Sequence, residues 1–414
     1  MQPAPTLGKY RLLAELGQGG MAKVYLALVK GPAGFNKLVV LKEIRAQLAE
    51  DPDVVTMFLD EARLAARLNH PNVVQTNEVG EEEGHYFIAM EYLEGQTYNR
   101  IFNRLKGKLS LPMQLRAVAE TLRGLHYAHE LKDFDGTPLG VVHRDVSPHN
   151  VFVTYSGQVK VVDFGIAKAL TSANETRTGI LKGKAAYMAP EQAAGDRVDR
   201  RADIYAVGVM LWEIAAGRRM WKGIPEVGIL TKLITGEVPA AKDADPNLPP
   251  RLAAIIDRAL ARRREDRYET AAELQADLEA FADTTGDKAG VRELGGHVSE
   301  EFAADRAKVQ AIVEEQMRAP PASSLPLLEA PLTSVTGVSG PDIASASGLS
   351  FGTPSSTRRE VGLPAGGPLV EGPRTRTSTD VSMQQPALLP QKPSSGKRMA
   401  IAIAAVVLAG AVAT

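Results

Sequence analysis

Between Val141 and Gly165 the chain sets a polar loop, His143-Arg144-Asp145-Val146-Ser147-Pro148-His149-Asn150, among short apolar stretches, and closes with Asp163-Phe164-Gly165. Val141-Val142 reads as a strand leading in and Val151 to Thr154 as one leading out. After a turn at Ser156-Gly157, Val159 to Val162 reads as a third. Strands this short fold only against a larger body. They carry Asp145, Asn150 and Asp163 to neighbouring loops, where two acidic or amide oxygens and one base are assembled.

A second constellation lies near the N-terminus. Tyr10 to Leu16 and Val24 to Leu28 have strand character, and Gly17-Gln18-Gly19-Gly20-Met21-Ala22 lies between them. A strand follows this glycine-rich loop, whereas a dinucleotide fingerprint needs a helix there, and the Gly-Lys-Ser/Thr of a Walker loop is missing. A hairpin tip bare of side chains can lay backbone N–H groups over phosphates; an ordinary tight turn is the other reading. Val39-Val40-Leu41-Lys42 is a β-branched strand ending in a cation. Asp51 and Pro52 then open a helix as cap and first position, and Glu61 falls within its apolar side among Phe58, Ala62 and Ala65. A glutamate there is costly to bury unpaired, so a salt bridge to Lys42 is expected, with a solvated glutamate at the stripe edge as the alternative.

Taken in order, these motifs resemble the eukaryotic-type (Hanks-type) protein kinases, specifically their bacterial members, over roughly Tyr10 to Ala282. The resemblance implies an α+β, bilobal protein kinase-like fold. A small, mostly antiparallel β lobe spans 10–89, a hinge 90–93 and a larger helical lobe 94–282. It implies ATP and Mg²⁺ as cofactors, proteins as substrates and serine/threonine hydroxyls as acceptors. Asp145 would be the base, preceded by Arg144, which pairs with an activation-segment phosphate in such enzymes. Asn150 and Asp163 would bind Mg²⁺, and Lys42 with Glu61 would hold the α- and β-phosphates. ATP would be contacted by Leu16, Gly17, Gln18, Gly19, Gly20, Val24, Lys42, Met90, Glu91 and Leu93. Glu191 of Ala189-Pro190-Glu191 would pair with Arg267, and Asp203 would brace the catalytic loop. Thr171, Thr176 and Thr178 are candidate phosphosites, and autophosphorylation implies possible self-association.

Three positions depart from the family pattern. Ala22 replaces the third loop glycine. Ser147 replaces a lysine whose charge stabilises the transferring phosphoryl group, so that Lys168 or an arginine substitutes or catalysis is slower. Lys184, after Gly183, replaces the threonine common in serine/threonine-specific members. These departures keep open a pseudokinase acting as a nucleotide-binding signalling scaffold. A small-molecule phosphotransferase is a further rival, although it has no need of Ala189-Pro190-Glu191. Lys132 to Gly140 reads as an inserted surface loop.

Lys plus Arg total 48 against 49 Asp plus Glu, a balance that argues against nucleic acid as partner. The absence of cysteine excludes disulfides, thiolate metal sites and thiol catalysis. Met1 to Tyr10 lacks the basic run and apolar core of a signal peptide, consistent with a cytoplasmic kinase domain. Residues 283–318 are expected to form a helical extension, with one exposed helix around Val291 to Met317. The Pro/Ser/Thr/Gly-rich stretch 319–396 is expected to be a disordered linker. Lys397-Arg398 and the apolar run to Thr414 resemble a transmembrane helix with its N-terminal side in the cytoplasm. At ~1.5 Å per residue the run reaches roughly 24 Å against a ~30 Å hydrocarbon core, so the sequence is expected to stop inside a longer helix.

Overall fold

The computed structural model describes residues 6–19, 21–31, 35–164, 185–285, 290–318 and 325–326. Gly20, Gly165, Lys168, the three threonine phosphosite candidates, Lys184, the expected linker and the expected membrane helix lie outside them. The chain divides into Met1–Pro341 and Asp342–Thr414; all the described residues belong to the first unit.

Six strands form an antiparallel sheet: β1 (Thr6–Leu7), β2 (Tyr10–Gln18), β3 (Ala22–Lys30), β4 (Asn36–Ile44), β5 (Thr76–Glu82) and β6 (His85–Glu91), in the order β1-β2-β3-β4-β6-β5. Alternation along the strands gives the sheet two apolar faces. Tyr10, Leu12, Tyr25, Val39, Leu41 and Phe87 cluster on one, and Leu13, Leu16, Val24, Leu26, Leu28 and Val40 on the other. Register shifts between Leu12 and Ala14 and between Glu15 and Gly17 bend β2 just before the glycine loop. Helix α1 (Ala46–Ala49) leads to α2 (Pro52–Arg67), whose N-cap Asp51 accepts a hydrogen bond from the Asp53 N–H at 2.9 Å. Phe58 and Ala62 of α2 pack against Ile44 and Ile88, which ties the helix to the sheet.

The helical part begins with β7 (Gly95–Thr97), α3 (Tyr98–Arg104) and α4 (Leu111–His129), followed by β8 (Val151–Thr154) and β9 (Val159–Val161). Strands β7, β8 and β9 make a second antiparallel sheet in that order. Then come α5 (Pro190–Ala194), α6 (Arg201–Ala216), α7 (Glu226–Thr235), α8 (Ala241–Ala244), α9 (Pro250–Ala259) and α10 (Ala271–Ala282). Helix α6 is buried continuously from Ala202 to Ile214, as expected of an element apolar on all sides at the centre of a core. Trp212, Tyr205, Leu122 and Leu125 lie at that centre.

Two expectations change. Val141 and Val142 are buried but do not form a strand. The N–H groups that follow, on His143 and Arg144, are instead taken by the carboxylate of Asp203. The C-terminal extension is not one exposed helix but two, α11 (Val291–Glu301) and α12 (Ala303–Arg318), with Leu294, Val298 and Phe302 buried. The inserted stretch is a small hairpin with a bridge between Lys132 and Pro138, and Phe134 at its tip is 98% exposed. Among the described residues no helix is long and apolar enough to cross a membrane.

Candidate active site

Lys42 lies on β4, between β3 and β6, opposite Val24 and Ile88. This central register fixes its ammonium in the cleft, 3.3 Å from Glu61 Oε1 on α2 and 3.1 Å from Asp163 Oδ1. All three side chains keep a little exposure, 13–20%. Burial pulls the Lys42 ammonium down, but the carboxylates of Asp163 and Glu61 outweigh it and hold the group above the ordinary lysine range. The pairing expected between Lys42 and Glu61 is present; its extension to Asp163 makes a three-membered ion cluster from β4, α2 and the segment after β9. Behind it lies a small cavity of about 20 Å³, lined by Ala65, Leu68, Val74, Ile88, Met90 and Phe164 among others.

The loop that begins at His143 hangs on one buried carboxylate. Asp203 accepts hydrogen bonds from the N–H groups of His143 and Arg144, both at 2.8 Å, and lies 2.7 Å from His129 Nε2. Burial pushes its carboxyl up, yet the His129 contact and these N–H groups hold it below the ordinary aspartate value. With its backbone gripped this way, Arg144 takes φ +65°, an uncommon conformation for a side chain of its size. His143 Nε2 lies 3.0 Å from the Val162 carbonyl, which can only accept, so that nitrogen carries the proton. Its Nδ1 then accepts from the Asp145 N–H at 3.3 Å, and its ring packs on Phe164 at 4.6 Å.

Asn150 and Asp163 stand at the two ends of the β8–β9 hairpin. The Val162 N–H donates to the Asn150 carbonyl at 2.9 Å and so joins these ends. Asn150 Nδ2 donates to the Asp145 carbonyl at 2.8 Å and to Asp145 Oδ2 at 3.3 Å. That fixes the amide, and its Oδ1 is buried with no hydrogen-bond partner. A buried oxygen without a donor is costly unless something electropositive faces it. Asp163, with φ +55°, supplies the neighbouring carboxylate. Among the described residues no set of three or more His, Cys, Asp or Glu gathers around a point. One amide and one carboxylate instead fit a hard divalent cation that takes its remaining ligands from phosphate and water.

Of the residues expected to contact a nucleotide, Leu16, Val24 and Leu93 are buried and Met90 is partly buried. Gly17 pairs with Val24 and Gln18 with Lys23, and the Gly19 N–H donates to the Ala22 carbonyl at 2.8 Å, which makes the loop a hairpin tip. The Glu91 carboxylate is turned away to Lys160 Nζ at 2.7 Å and to the Gln75 N–H at 2.8 Å. Arg267 meets Glu191 with two parallel bonds of 2.7 and 2.8 Å and is fully buried. Ser147 is buried at 9% exposure.

Two sets of buried polar contacts are not evident from local sequence. One is at His129; a histidine on the buried side near the end of α4 is its only signal. The other joins Tyr187, Glu213 and Arg219. The Tyr187 hydroxyl donates to Glu213 at 2.8 Å, and Arg219 reaches both, at 2.7 and 2.6 Å, as well as Asn99. Burial raises the Tyr187 hydroxyl far above its usual range.

The family model described as "Protein kinase domain" matches residues 10–278, and the chain belongs to that family. Among its relatives, the protein named Tyrosine-protein kinase MasK, from Myxococcus xanthus, is 45% identical over 312 residues, 74% of this chain and 48% of that protein. Serine/threonine-protein kinase PrkC of Bacillus subtilis is 36% identical over 276 residues, 67% and 41% of the two chains. The crystal structure of the Mycobacterium tuberculosis PknI kinase domain matches with a TM-score of 0.51 at 28% identity, covering 68% of this chain and 98% of that one. The chain therefore spans about half the length, or less, of these two curated relatives. The resemblance to Hanks-type kinases and the bilobal α+β fold are both borne out.

Proposed function

We propose that this chain is an ATP-dependent protein kinase that transfers the γ-phosphate to serine/threonine hydroxyls of proteins, in bacterial signal transduction. The observation that carries this reading is the meeting of Lys42, Glu61 and Asp163 beside an Asn150 whose Oδ1 lacks a partner. In this reading Lys42, steadied by Glu61, neutralises α- and β-phosphate charge. Asn150 and Asp163 hold Mg²⁺, which when bound screens the phosphates and orients them. Asp145, fixed through its carbonyl and Oδ2 by Asn150, orients the attacking hydroxyl and accepts its proton. The glycine tip covers the phosphates, and Leu16, Val24 and Leu93 enclose the adenine. Arg144 pairs with a phosphorylated threonine, for which Thr171, Thr176 and Thr178 are the candidates.

Retention of all five polar groups argues against a nucleotide-binding scaffold without catalysis. A second reading, transfer to tyrosine, is favoured by the 45% identity to MasK and by Lys184 in place of threonine. The test is labelled-phosphate transfer from ATP to a generic basic protein, by wild type and Asp145→Ala, followed by phosphoamino-acid analysis. The expected outcome is label on serine and threonine from wild type only. Label on tyrosine alone selects the second reading, and equal labelling by both chains contradicts the role of Asp145.

The proposed organisation is a kinase domain at 10–282, a helical extension at 283–318, a linker at 319–396 and a membrane anchor at 397–414 that holds the kinase at the cytoplasmic face. Release of the protein from sedimented membranes on deleting 399–414 supports the anchor; a full chain that never sediments with membranes removes it. Self-association for autophosphorylation completes the proposal.

A further inference from the structure

Helices α11 and α12 form a strap that touches both walls of the cleft. Leu294 and Val298 of α11 are fully buried, and Phe302 lies under the guanidinium groups of Arg100 and Arg104 at 5.5 and 4.6 Å. The same two arginines hold Asp305 at 2.7 and 2.6 Å. A Cβ on Gly295 would stand 2.4 Å from the Gly157 nitrogen, and one on Gly157 would meet the Val291 carbonyl oxygen at 1.6 Å. Gly157, at φ +91°, is the turn of the β8–β9 hairpin. Helix α11 is therefore locked to the back of the element that presents Asn150 and Asp163.

Helix α12 continues past the hinge to the small lobe. Arg306 pairs with Glu94 at 3.0 Å and lies over the Tyr155 ring at 5.1 Å. Val309, Ile312 and Val313, on one face by their i, i+3, i+4 spacing, pack into the cluster that contains Leu16, Val24 and Val40. Farther on, an Arg11 guanidinium N–H donates to the Gln316 carbonyl at 2.5 Å, and the Glu15 N–H donates to the Pro326 carbonyl at 3.1 Å. These polar contacts fall on β2 upstream of Gly17, so they steady the strand that carries the glycine loop.

We infer that the strap is a positioning element for nucleotide binding: by tying β2 to the β8–β9 hairpin it sets the apolar roof over the two metal ligands. The inference rests on the kinase reading of the cleft. A roof free to move must lose that freedom when nucleotide binds; a docked strap has removed it beforehand, and affinity rises accordingly. Loss of the strap should therefore appear in the affinity for nucleotide rather than in the transfer step.

In the full chain, Val309→Asp/Ile312→Asp places charge on the docked face and should release α12, seen as faster amide hydrogen exchange over 303–318. Calorimetry with MgATP should show binding weakened about tenfold, the KM for ATP should rise in proportion, and kcat should stay within about twofold. Arg306→Glu should shift affinity the same way by a smaller factor, and Ile312→Leu should match wild type. Released α12 with unchanged affinity overturns the positioning role. Tighter binding also overturns it, because the strap would then be an obstructing lid. Wild-type chain that binds no MgATP contradicts the kinase reading and this inference with it.

Discussion

At the scale of single residues, Ser147 and Asn150 differ most in what they imply. Asn150 has its amide nitrogen committed and its oxygen left open, the arrangement a cation ligand needs. In the proposed kinase reading, Ser147 stands where the family pattern has a cation facing the transferring phosphoryl group. Ser147→Lys is therefore predicted to raise kcat about tenfold, with little change in the KM for ATP, in a steady-state transfer assay. An unchanged or lower kcat would show that another cation already serves. Glu61 was legible because a carboxylate is at odds with the apolar face of α2, Lys42 because it ends a β-branched strand, and Asn150 and Asp163 through the order and spacing of their motifs. His129 and Arg219 were not, because their partners, Asp203 and the Tyr187–Glu213 pair, are brought to them only by the packing of α4 against α6 and of Tyr187 against the end of α6.

At the scale of elements, α6 organises the site from within the core by extending Asp203 to the catalytic loop. In Asp203→Asn one acceptor becomes a donor facing a buried N–H, so a loss of about 3 kcal/mol is expected in urea unfolding. The pH dependence has a definite sign. Because the native Asp203 carboxyl titrates below its unfolded value, its stabilisation is present above pH ~4 and is lost as pH falls through the depressed native value. The Asn variant should show a flatter acid limb; an equally steep one would assign acid sensitivity to other carboxylates. The same carboxylate takes the N–H groups of His143 and Arg144, so no strand begun at Val141-Val142 could continue through them. Strand β8 and helix α2 were legible because their signals, a β-branched run and an Asp-Pro start, are local.

At the scale of the whole molecule, alternation marked individual strands and helices, whereas the bilobal plan came from the family that the ordered motifs resemble. The strap was legible from neither. Gly295-Gly296 interrupts the apolar pattern of α11, and only the close approach to Gly157 explains a glycine there. Three connections then bear on the cleft: the segment at Glu91, braced by Lys160; the ion cluster at Lys42; and the strap. Under the proposed function they would divide binding from transfer, with β4, β8–β9 and the strap serving the nucleotide and Asp145 serving the hydroxyl. The most direct measurement is MgATP affinity by calorimetry set beside labelled-phosphate transfer, for wild type, Asp145→Ala and Asp163→Ala. Asp145→Ala should keep its affinity within about threefold while transfer falls at least about a hundredfold, and Asp163→Ala should lose both. Transfer by Asp145→Ala at the wild-type rate would contradict the account.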